Sequence, residues 1–399
     1  MSRLAELIAQ LCPDGVEYKP LGELLVYQQP TPFLVSSKDY DPSYPTPVLT
    51  AGATFLLGYS SETHGVYAAS TDDPVIIFDD FTTASKWVDF PFKLKSSAAK
   101  ILTAADPSVA DIRFLYFLMQ TIKFQVGSHA RHWIAVYSKM PVCCPPLEVQ
   151  REIVRILDQF TTLEAELEAE LEARRAQYEH YRNHLLSYVS LAARGAVEMV
   201  NLGDVALRVV TGVTPQASNA RYYEGGSNPW IRTQDVNFNR ISVASEFVTD
   251  AAIDELPLKW VKANCVIVAI SGASAGRSAL LGIDAVTNQH CCNLEIDPKR
   301  ADYRYVYYSI AARYNELRSL GRGARGDLNV SIIKSFEIPL PSVDQQSAVA
   351  DLLDHFAALV NDITSGLPAE IAARRAQYEH YRDRLLSFPE KVVSRSNAS

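Results

Sequence analysis

A ten-residue block that occurs twice is the feature that most restricts how this chain can fold. Residues 173–182 and 373–382 both read ARRAQYEHYR. Weaker matches in the same order precede each copy; they join residues 157–160 to 353–356, Pro145 to Pro341 and Gln150 to Gln346. Self-similarity at a near-constant separation indicates a duplicated structural unit. The sequence therefore predicts two tandem half-proteins, each a long variable segment followed by a repeated helical one.

The repeated blocks lie in segments with helical periodicity. In the first copy apolar side chains recur mostly every three or four residues, as in a helix with one apolar stripe; they are Phe160, Leu163, Leu167, Leu171, Tyr178, Tyr181 and Leu185. A helix over residues 147–188, after two prolines, is about 60 Å long at 1.5 Å per residue. Because it cannot bury its stripe alone, we expect the second copy to pair with it in antiparallel orientation. In that copy residues 365–368 (SGLP) should interrupt the helix, with Pro368 in the first turn of the next one.

The segments between the helices have the pattern of mixed domains. Both contain short β-like runs, such as residues 74–78 and 266–270, and each has a helical stretch near its end. The predicted fold class is α+β: two mixed α/β domains separated by two long antiparallel helices and related by a pseudo-twofold. The predicted boundaries are an N-terminal segment (1–18) that completes the circular repeat, a first domain (19–144), a first helical spacer (145–199), a second domain (200–340), a second helical spacer (341–388) and a tail (389–399).

The net charge of −8 does not favour a nucleic-acid partner at first sight. Most of the acidic excess, however, lies outside the two variable domains, and a near-neutral domain binds nucleic acid when its cations share a face. Candidate cation groups are Lys86, Lys93, Lys95 and Lys100 in the first domain, and Arg313, Arg318, Arg322 and Arg325 in the second. An ordinary solvated surface explains them equally well. A G-x-x-A-R frame at 127–131 and 321–325 is either a phosphate-approaching loop or a plain turn.

Enzymatic signatures are missing from the sequence. Residues 272–278 (GASAGRS) resemble a phosphate loop, but the spacer is one residue short and Arg277 stands where lysine is required. Asp79-Asp80 suggests a metal-dependent nuclease less than a strand that runs into an Asx-type turn. The eight histidines show no ligand spacing, so we predict no metal site in this chain.

The cysteines and the hydropathy pattern indicate a cytoplasmic protein. Six cysteines show no metal-ligand spacing and are expected to be reduced and mostly buried. No apolar run reaches the roughly 20 residues needed to span a bilayer. The N-terminus also lacks the basic start and apolar centre of a signal peptide. We therefore expect no membrane association.

At this point the sequence resembles the specificity subunits of type I restriction–modification systems. The resemblance covers essentially the whole chain and rests on the repeated block and on several shorter stretches, namely residues 16–23, 47–52, 77–83 and 339–345. Most specific is the tandem tetrapeptide Glu164-Ala-Glu-Leu167 and Glu168-Ala-Glu-Leu171, which is similar to the spacer of the type IC branch.

The resemblance implies a non-catalytic subunit that recognises duplex DNA. Its two variable domains would read the halves of a bipartite, asymmetric target. Its helices would hold two modification subunits, which bind S-adenosylmethionine and methylate adenine at N6, and two ATP- and Mg-dependent restriction subunits would then join. No cofactor is expected in this chain. The helical residues predicted to contact these partners are Leu163, Leu167, Leu171, Arg174, Tyr178, Tyr181, Arg374, Tyr378 and Tyr381.

Candidate base readers follow from side-chain chemistry, because Arg, Lys, Asn and Gln bond to base edges in the major groove. They are Lys86, Lys93 and Arg131 in the first domain, and Arg232, Gln234, Arg277, Asn288, Gln289 and Arg325 in the second. Three alternatives stay open at the level of sequence. They are a scaffold with two peptide-binding domains, an enzyme with an unfamiliar site, and a specificity subunit of a system that only modifies DNA.

Overall fold

A computed structural model of the chain describes residues 3–50, 52, 54–124, 131–322, 326–361 and 366–391. The chain divides into two compact units: Met1–Leu167 with Ile371–Ser399, and Glu168–Glu370. We call them the first and the second unit. The divisions fall inside the predicted helical spacers rather than at their ends, so each unit contains one variable segment and parts of both spacers.

Over the described residues, the elements up to the first long helix are mostly short strands, with three short helices among them. They are α1 (Arg3–Leu11), β1 (Glu17–Pro20), α2 (Leu21–Leu24), β2 (Leu25–Gln28), β3 (Thr46–Leu49), β4 (Leu56–Ser60), β5 (Val75–Asp79), β6 (Ser85–Val88), β7 (Lys93–Leu94), β8 (Ala99–Ala104), α3 (Ile112–Thr121), β9 (Pro141–Cys144) and α4 (Leu147–Leu185). Helix α4 begins directly after Pro145 and Pro146, as predicted, because proline is tolerated at a helix start and not in its interior.

The remaining elements follow the same order with a few additions. They are α5 (Tyr188–Ala192), β10 (Glu198–Asn201), β11 (Ala206–Thr211), β12 (Asn228–Ile231), β13 (Arg240–Ile241), β14 (Glu246–Val248), α6 (Asp250–Glu255), β15 (Val266–Ala269), β16 (Ser278–Leu281), β17 (Val286–Thr287), β18 (Cys291–Ile296), α7 (Tyr303–Ala312), α8 (Tyr314–Ser319), α9 (Val330–Ser335), β19 (Glu337–Leu340), α10 (Val343–Asn361) and α11 (Leu367–Leu385).

Both units contain the same set of sheets, which confirms the predicted α+β class and the duplication. Within the described residues the first unit has a four-stranded sheet β2-β8-β5-β6, a three-stranded sheet β4-β3-β7 and the pair β1-β9. The second unit has β11-β18-β15-β16-β13, β14-β12-β17 and β10-β19. The three-stranded sheets each contain one parallel pair, β3 with β7 and β12 with β17. Strand β13 is the only addition to the second set, as far as the described chain extends.

The hydrogen-bond register relates the two variable segments position by position. The amide of Asp80 donates to Ala98 O (3.1 Å), and the amide of Ile270 donates to His290 O (2.9 Å). Each of these residues directly follows the equivalent central strand, β5 or β15. Asp80 and Ile270 therefore occupy the same place in the two units although their side chains have opposite polarity.

Ring and ion-pair contacts in the first unit confirm the predicted antiparallel helix pair. Phe160 of α4 stacks on Tyr381 of α11 with ring centroids 5.7 Å apart. One turn later in α4, Glu164 Oε1 lies 2.5 Å from Arg375 Nε. The partner residue number falls as the α4 number rises, which is the signature of an antiparallel arrangement.

The second unit repeats this contact with the other copy of the block. Tyr181 of α4 stacks on Phe356 of α10 at 6.2 Å, with the rings 8° from parallel. The predicted interruption is also confirmed at Gly366, which lies outside any helix, and α11 begins at Leu367 with Pro368 in its first turn.

A buried glutamine joins each long helix to its variable segment. Gln150 of α4 accepts a hydrogen bond from the amide of Asp111 at Oε1 (2.9 Å) and donates from Nε2 to Pro145 O (2.7 Å). Gln346 of α10 makes the same bond to the amide of Asp302 (2.9 Å). Both glutamines are fully buried. These duplicated bonds satisfy backbone groups that have no partner in a helix or strand.

The cysteines are free thiols in the interior, as predicted. Five are buried and Cys144 is half-buried. Burial disfavours the charged thiolate and raises the pKa of Cys143 and of Cys292 to about 12. Within the described ranges no helix is both long enough and apolar enough to cross a membrane.

Candidate nucleic-acid interface

Two of the predicted surface lysines are buried and take part in ion pairs. Lys93 is 3% exposed; its Nζ lies 3.0 Å from Glu62 Oε2 and donates to His64 O. Lys100 is 1% exposed, with Nζ 3.2 Å from Asp80 Oδ2. A buried ammonium group needs such partners because its desolvation is otherwise strongly unfavourable. The prediction of Lys93 as a base reader is therefore wrong, and Lys100 leaves the candidate cation group.

The other cations of the first unit remain accessible. Lys86 is half-buried on β6, at the edge of the four-stranded sheet and opposite Ile77. Lys95 is half-buried, with Nζ 5.8 Å from the centre of the Tyr40 ring. Arg131 is exposed at the start of the segment that leads into β9.

Asp79 and Asp80 have distinct structural roles. Asp79 Oδ1 accepts hydrogen bonds from the amides of Phe81 (2.8 Å) and Thr82 (3.2 Å), which confirms the predicted Asx turn. Asp80 is buried; its backbone oxygen accepts the amide of His132 (2.9 Å) and its Oδ1 accepts the amide of Trp133 (2.8 Å). Asp80 therefore fixes the backbone immediately after Arg131.

The register gives Arg131 a described counterpart in the second unit. The amide of Leu328 donates to Ile270 O (2.8 Å), just as the amide of His132 donates to Asp80 O, so the residue before Leu328 corresponds to Arg131. That residue is Asp327. Gly127 and Ala130 of one frame, and Ala324 and Arg325 of the other, lie outside the described residues, so the prediction for Arg325 remains a prediction.

Arg232 and Gln234 follow the end of β12, and their side chains differ in exposure and in contacts. The amide of Arg232 donates to Asp235 Oδ2 (2.9 Å), and its Nη2 donates to Glu246 Oε1 (3.2 Å). Its guanidinium also lies over the Trp230 ring at 5.7 Å. Arg232 is thus held within the unit, whereas Gln234 is exposed.

Asn288 and Gln289 follow β17 and are both engaged within the unit. Asn288 is 7% exposed, and its Oδ1 accepts the amide of His290 (3.1 Å), so it shapes a turn. The structure therefore contradicts the prediction of Asn288 as a base reader. Gln289 is exposed, accepts a hydrogen bond from the Thr214 hydroxyl and lies 3.1 Å from the His290 ring nitrogen.

Arg277 belongs to a cluster of aromatic and cationic side chains. Its Nη1 donates to Asn237 Oδ1 (3.0 Å). The next residue, Phe238, packs edge-to-face on Tyr314, with centroids 5.2 Å apart at 89°. The hydroxyl of Tyr314 accepts a hydrogen bond from Arg318 Nη1 (2.5 Å). We call these five residues, Asn237, Phe238, Arg277, Tyr314 and Arg318, the arginine–aromatic cluster.

The glycine loop before Arg277 provides the space for this cluster. Gly276 has a φ of +85°, and a Cβ there would lie 3.2 Å from Tyr314 Cε2 and 3.4 Å from Arg318 Cβ. Only glycine combines this backbone conformation with such a close approach. The loop that resembled a phosphate loop in sequence therefore lets two aromatic and cationic elements meet.

Four members of this cluster were not on the predicted list of base readers. Phe238 and Asn237 carry no periodic signal, and Tyr314 and Arg318 lie in a short helix remote in sequence. The sequence contains a Gly-rich loop followed by Arg277, which is a predicted base reader, and it places Arg318 in the candidate cation group, but it does not indicate that the two arginines meet around aromatic rings. Aromatic and guanidinium groups together are typical of surfaces that contact nucleic acids.

The predicted partner residues of the helices fall into two groups. Leu171 is 8% exposed, and Leu163, Leu167, Tyr178, Arg374 and Tyr378 are half-buried. The burial of Leu171 excludes it from an accessible partner surface. Arg174, Tyr181 and Tyr381 are exposed, and the two tyrosines are 43% and 41% accessible. The near-equal exposure of Tyr181 and Tyr381 gives the two units a matching surface feature.

No group of three or more His, Cys, Asp or Glu side chains arranged to hold a metal ion is found in the described part of the chain.

Comparisons with known proteins agree on one family. The family model described as the type I restriction modification DNA specificity domain matches residues 195–373. The specificity subunit of the Escherichia coli type I restriction enzyme EcoR124I/EcoR124II is 41% identical over 404 residues, covering 98% of this chain and 98% of that protein. A putative type I specificity subunit from Haemophilus influenzae is 28% identical and covers 69% of this chain and 72% of its own length.

Solved structures show the same fold at low identity. The type I restriction–modification S subunit from M. genitalium aligns over 93% of this chain and 96% of its own, with a TM-score of 0.58 and 12% identity. A chain from a structural study of complex assembly and conformational transition in the type I R-M system aligns over 94% and 98%, with a TM-score of 0.60 and 17% identity.

Proposed function

The chain belongs to the family of type I restriction–modification DNA specificity subunits, and on this premise we propose that its two units read the two halves of one bipartite, asymmetric duplex. The observation that carries the proposal is the combination of matching helical surfaces with dissimilar variable segments. The register places the exposed Arg131 of the first unit where the second unit has Asp327, so equivalent backbone positions carry side chains of opposite charge. Equal scaffolds with unequal reading surfaces recognise two different half-sites. Membership of this family excludes the scaffold with two peptide-binding domains.

We propose further that two copies of one modification subunit bind the two helical surfaces. Tyr181 stacks on Phe356 in the second unit and Tyr381 stacks on Phe160 in the first, so the repeated block presents the same edge twice. A duplicated surface fits a partner present in two copies around a pseudo-twofold. S-adenosylmethionine, ATP and Mg²⁺ would bind in these modification subunits and in two restriction subunits, and none would bind in this chain. The assembly would act in the cytoplasm.

The proposed reading surfaces predict separable effects of two arginine substitutions. Arg277→Ala should weaken recognition of one base pair in the half-site of the second unit about tenfold, because a lost base-edge contact is worth about 1–3 kcal/mol. Arg131→Ala should act on the other half-site. The measurement is a map of methylated adenines in cells that carry the chain and its modification partner.

Arg221→Ala provides the matched control for these substitutions. Arg221 is exposed and paired with Glu255 at 2.6 Å, and it lies outside the arginine–aromatic cluster. Its substitution should leave the methylation map unchanged. Equal losses at every target sequence after Arg277→Ala would show that this side chain contacts phosphates and does not discriminate between bases.

The tandem tetrapeptide in α4 predicts the length of the spacer between the half-sites. An extra Glu-Ala-Glu-Leu after Leu171 adds about 6 Å and slightly more than one turn of helix, so the apolar stripe stays nearly in phase. The target should keep both half-sites and gain about one base pair between them, because the added length of about 6 Å exceeds one base-pair step of about 3.4 Å and falls short of two. Methylation mapping would detect this gain, and a folded variant with an unchanged spacer would contradict it. A two-residue Glu-Ala insertion, which rotates the stripe away, should abolish specific methylation.

A further inference from the structure

Phe238 is an exposed aromatic residue in an unfavourable backbone conformation. It is 37% exposed and has a φ of +54°. Residues with a bulky side chain rarely adopt the positive φ that glycine adopts readily. The few that do so cluster where a protein binds a ligand. The conformation is enforced by the neighbouring strand, because the amide of Phe238 donates to Ser278 O (2.8 Å) and the amide of Leu280 donates to Asn239 O (2.9 Å).

The ring of Phe238 packs against Tyr314. Its edge-to-face contact with Tyr314 is made rigid by Arg318, which donates to the Tyr314 hydroxyl and lies over the same ring at 5.7 Å. Within the described residues Phe238 belongs to none of the hydrophobic core clusters. The ring is therefore held firmly and still presents apolar surface to the solvent.

The surroundings of this ring are cationic. Three arginines lie on the segments that contact Phe238 or continue from it. Arg277, Arg318 and Arg240 donate hydrogen bonds to the neutral side chains of Asn237, Tyr314 and Asn264, respectively. Over the described part of the chain none of these guanidinium groups forms an ion pair with a carboxylate. Arginines that form no ion pair can bind phosphates, and an exposed aromatic ring can stack on bases. Together they suit a nucleic-acid ligand.

We propose that Phe238 is a wedge that inserts at one base step of the half-site read by the second unit. Arg240 and Arg318 would contact phosphates beside the ring, Arg277 would keep its proposed contact with a base edge, and the ring would partly unstack two neighbouring base pairs. Apolar side chains inserted in this way kink duplex DNA. Pyrimidine–purine steps unstack most readily, so the wedge selects sequence at a position where no hydrogen bond to a base is needed. This inference rests on the proposed reading function of the second unit.

The wedge should act on one half-site only. Phe238 directly precedes the segment that forms β13, and β13 is the strand of the second unit that has no counterpart in the four-stranded sheet of the first, within the described chain. The two half-sites should therefore differ in deformation as well as in sequence.

The test uses the full chain assembled with its modification subunits and duplexes that carry 2-aminopurine at successive positions of the second unit's half-site. With the wild-type chain, fluorescence should rise several-fold at one step that is not the methylated adenine. Phe238→Ala should remove this rise and weaken target binding about tenfold, the size expected for a lost base–aromatic contact. Phe238→Gly should do the same while relieving the positive φ, so it separates the loss of the ring from a folding defect.

Phe247→Ala is the matched control, because Phe247 is a comparably exposed aromatic (39%) on β14 of the same unit. It should leave both the fluorescence and the binding within about twofold of wild type. A fluorescence rise that persists in Phe238→Ala, or that occurs only at the methylated adenine, overturns the wedge alone. A wild-type complex whose binding does not depend on this half-site overturns the reading function and the wedge together.

Discussion

Replacing Lys100 with methionine should lower the free energy of unfolding of the first unit by about 4 kcal/mol. The substitution leaves Asp80, which is 1% exposed, as a buried carboxylate without its ammonium partner. Asp80 Oδ1 also accepts a hydrogen bond from the amide of Trp133, whose side chain is buried, so displacement of the carboxylate disturbs the core around it. Urea unfolding followed by circular dichroism measures the loss.

The second unit supplies a design that should rescue this loss. In the second unit Ala269 of β15 pairs with Cys291, and in the first unit Asp79 of β5 pairs with Ala99. The residues that follow these two partners are Cys292 and Lys100, so they occupy equivalent positions. Ile270 corresponds to Asp80, and the second unit therefore has an apolar pair where the first has an ion pair. The double substitution Asp80→Ile and Lys100→Cys should recover part of the lost stability, because it removes the unpaired buried charge. The recovery should be incomplete, because the amide of Trp133 loses its acceptor.

The control for Lys100→Met is the same substitution in an exposed pair. Lys262 lies 2.7 Å from Asp284, and its side chain is 72% accessible. Lys262→Met should change the free energy of unfolding by less than about 1 kcal/mol, because water screens such pairs. Equal effects of the two substitutions would show that burial contributes nothing to the Asp80–Lys100 pair.

The repeated parts of the fold were predictable because their signals are local or internal. The two copies of ARRAQYEHYR reveal the duplication directly, and an apolar stripe at helical spacing needs an internal partner. Proline and glycine mark where α10 and α11 separate. The Asx turn after β5 was predictable for the same reason, since Asp79 bonds to amides two and three residues ahead.

The candidate site was less predictable because burial and pairing are tertiary properties. Lys93 lies in a run of lysines that reads as a basic surface, but its partner Glu62 comes from a distant part of the sequence and the pair is enclosed by the fold. Asn288 has the chemistry of an adenine reader and shapes a turn instead. Nothing in the sequence around Phe238 indicates a positive φ. The equivalence of Asp80 with Ile270 is also invisible in sequence, because the backbone preserves its register while side-chain polarity changes.

Gln150→Leu and Gln346→Leu should each destabilise one unit by about 3 kcal/mol and leave the other unit unchanged. Leucine fills the volume of glutamine, but the amide of Asp111 or Asp302 then has no acceptor, and the carbonyl of Pro145 or Pro341 loses its donor. Because these groups are enclosed, water cannot fully replace the lost bonds. Hydrogen exchange measured residue by residue should speed up at Asp111 in the first variant and at Asp302 in the second.

Because the chain is duplicated, each unit serves as the control for a substitution in the other. Gln345→Leu provides a second control. Gln345 is half-buried beside Gln346 and donates a single 3.3 Å bond to Leu191 O. Gln345→Leu should cost about 1 kcal/mol or less, since one weak bond is lost and solvent has access. If Gln150→Leu raised exchange in both units equally, the glutamine would stabilise the chain as a whole. If neither variant changed hydrogen exchange at Asp111 or Asp302, the glutamine would not be the residue that joins each long helix to its variable segment.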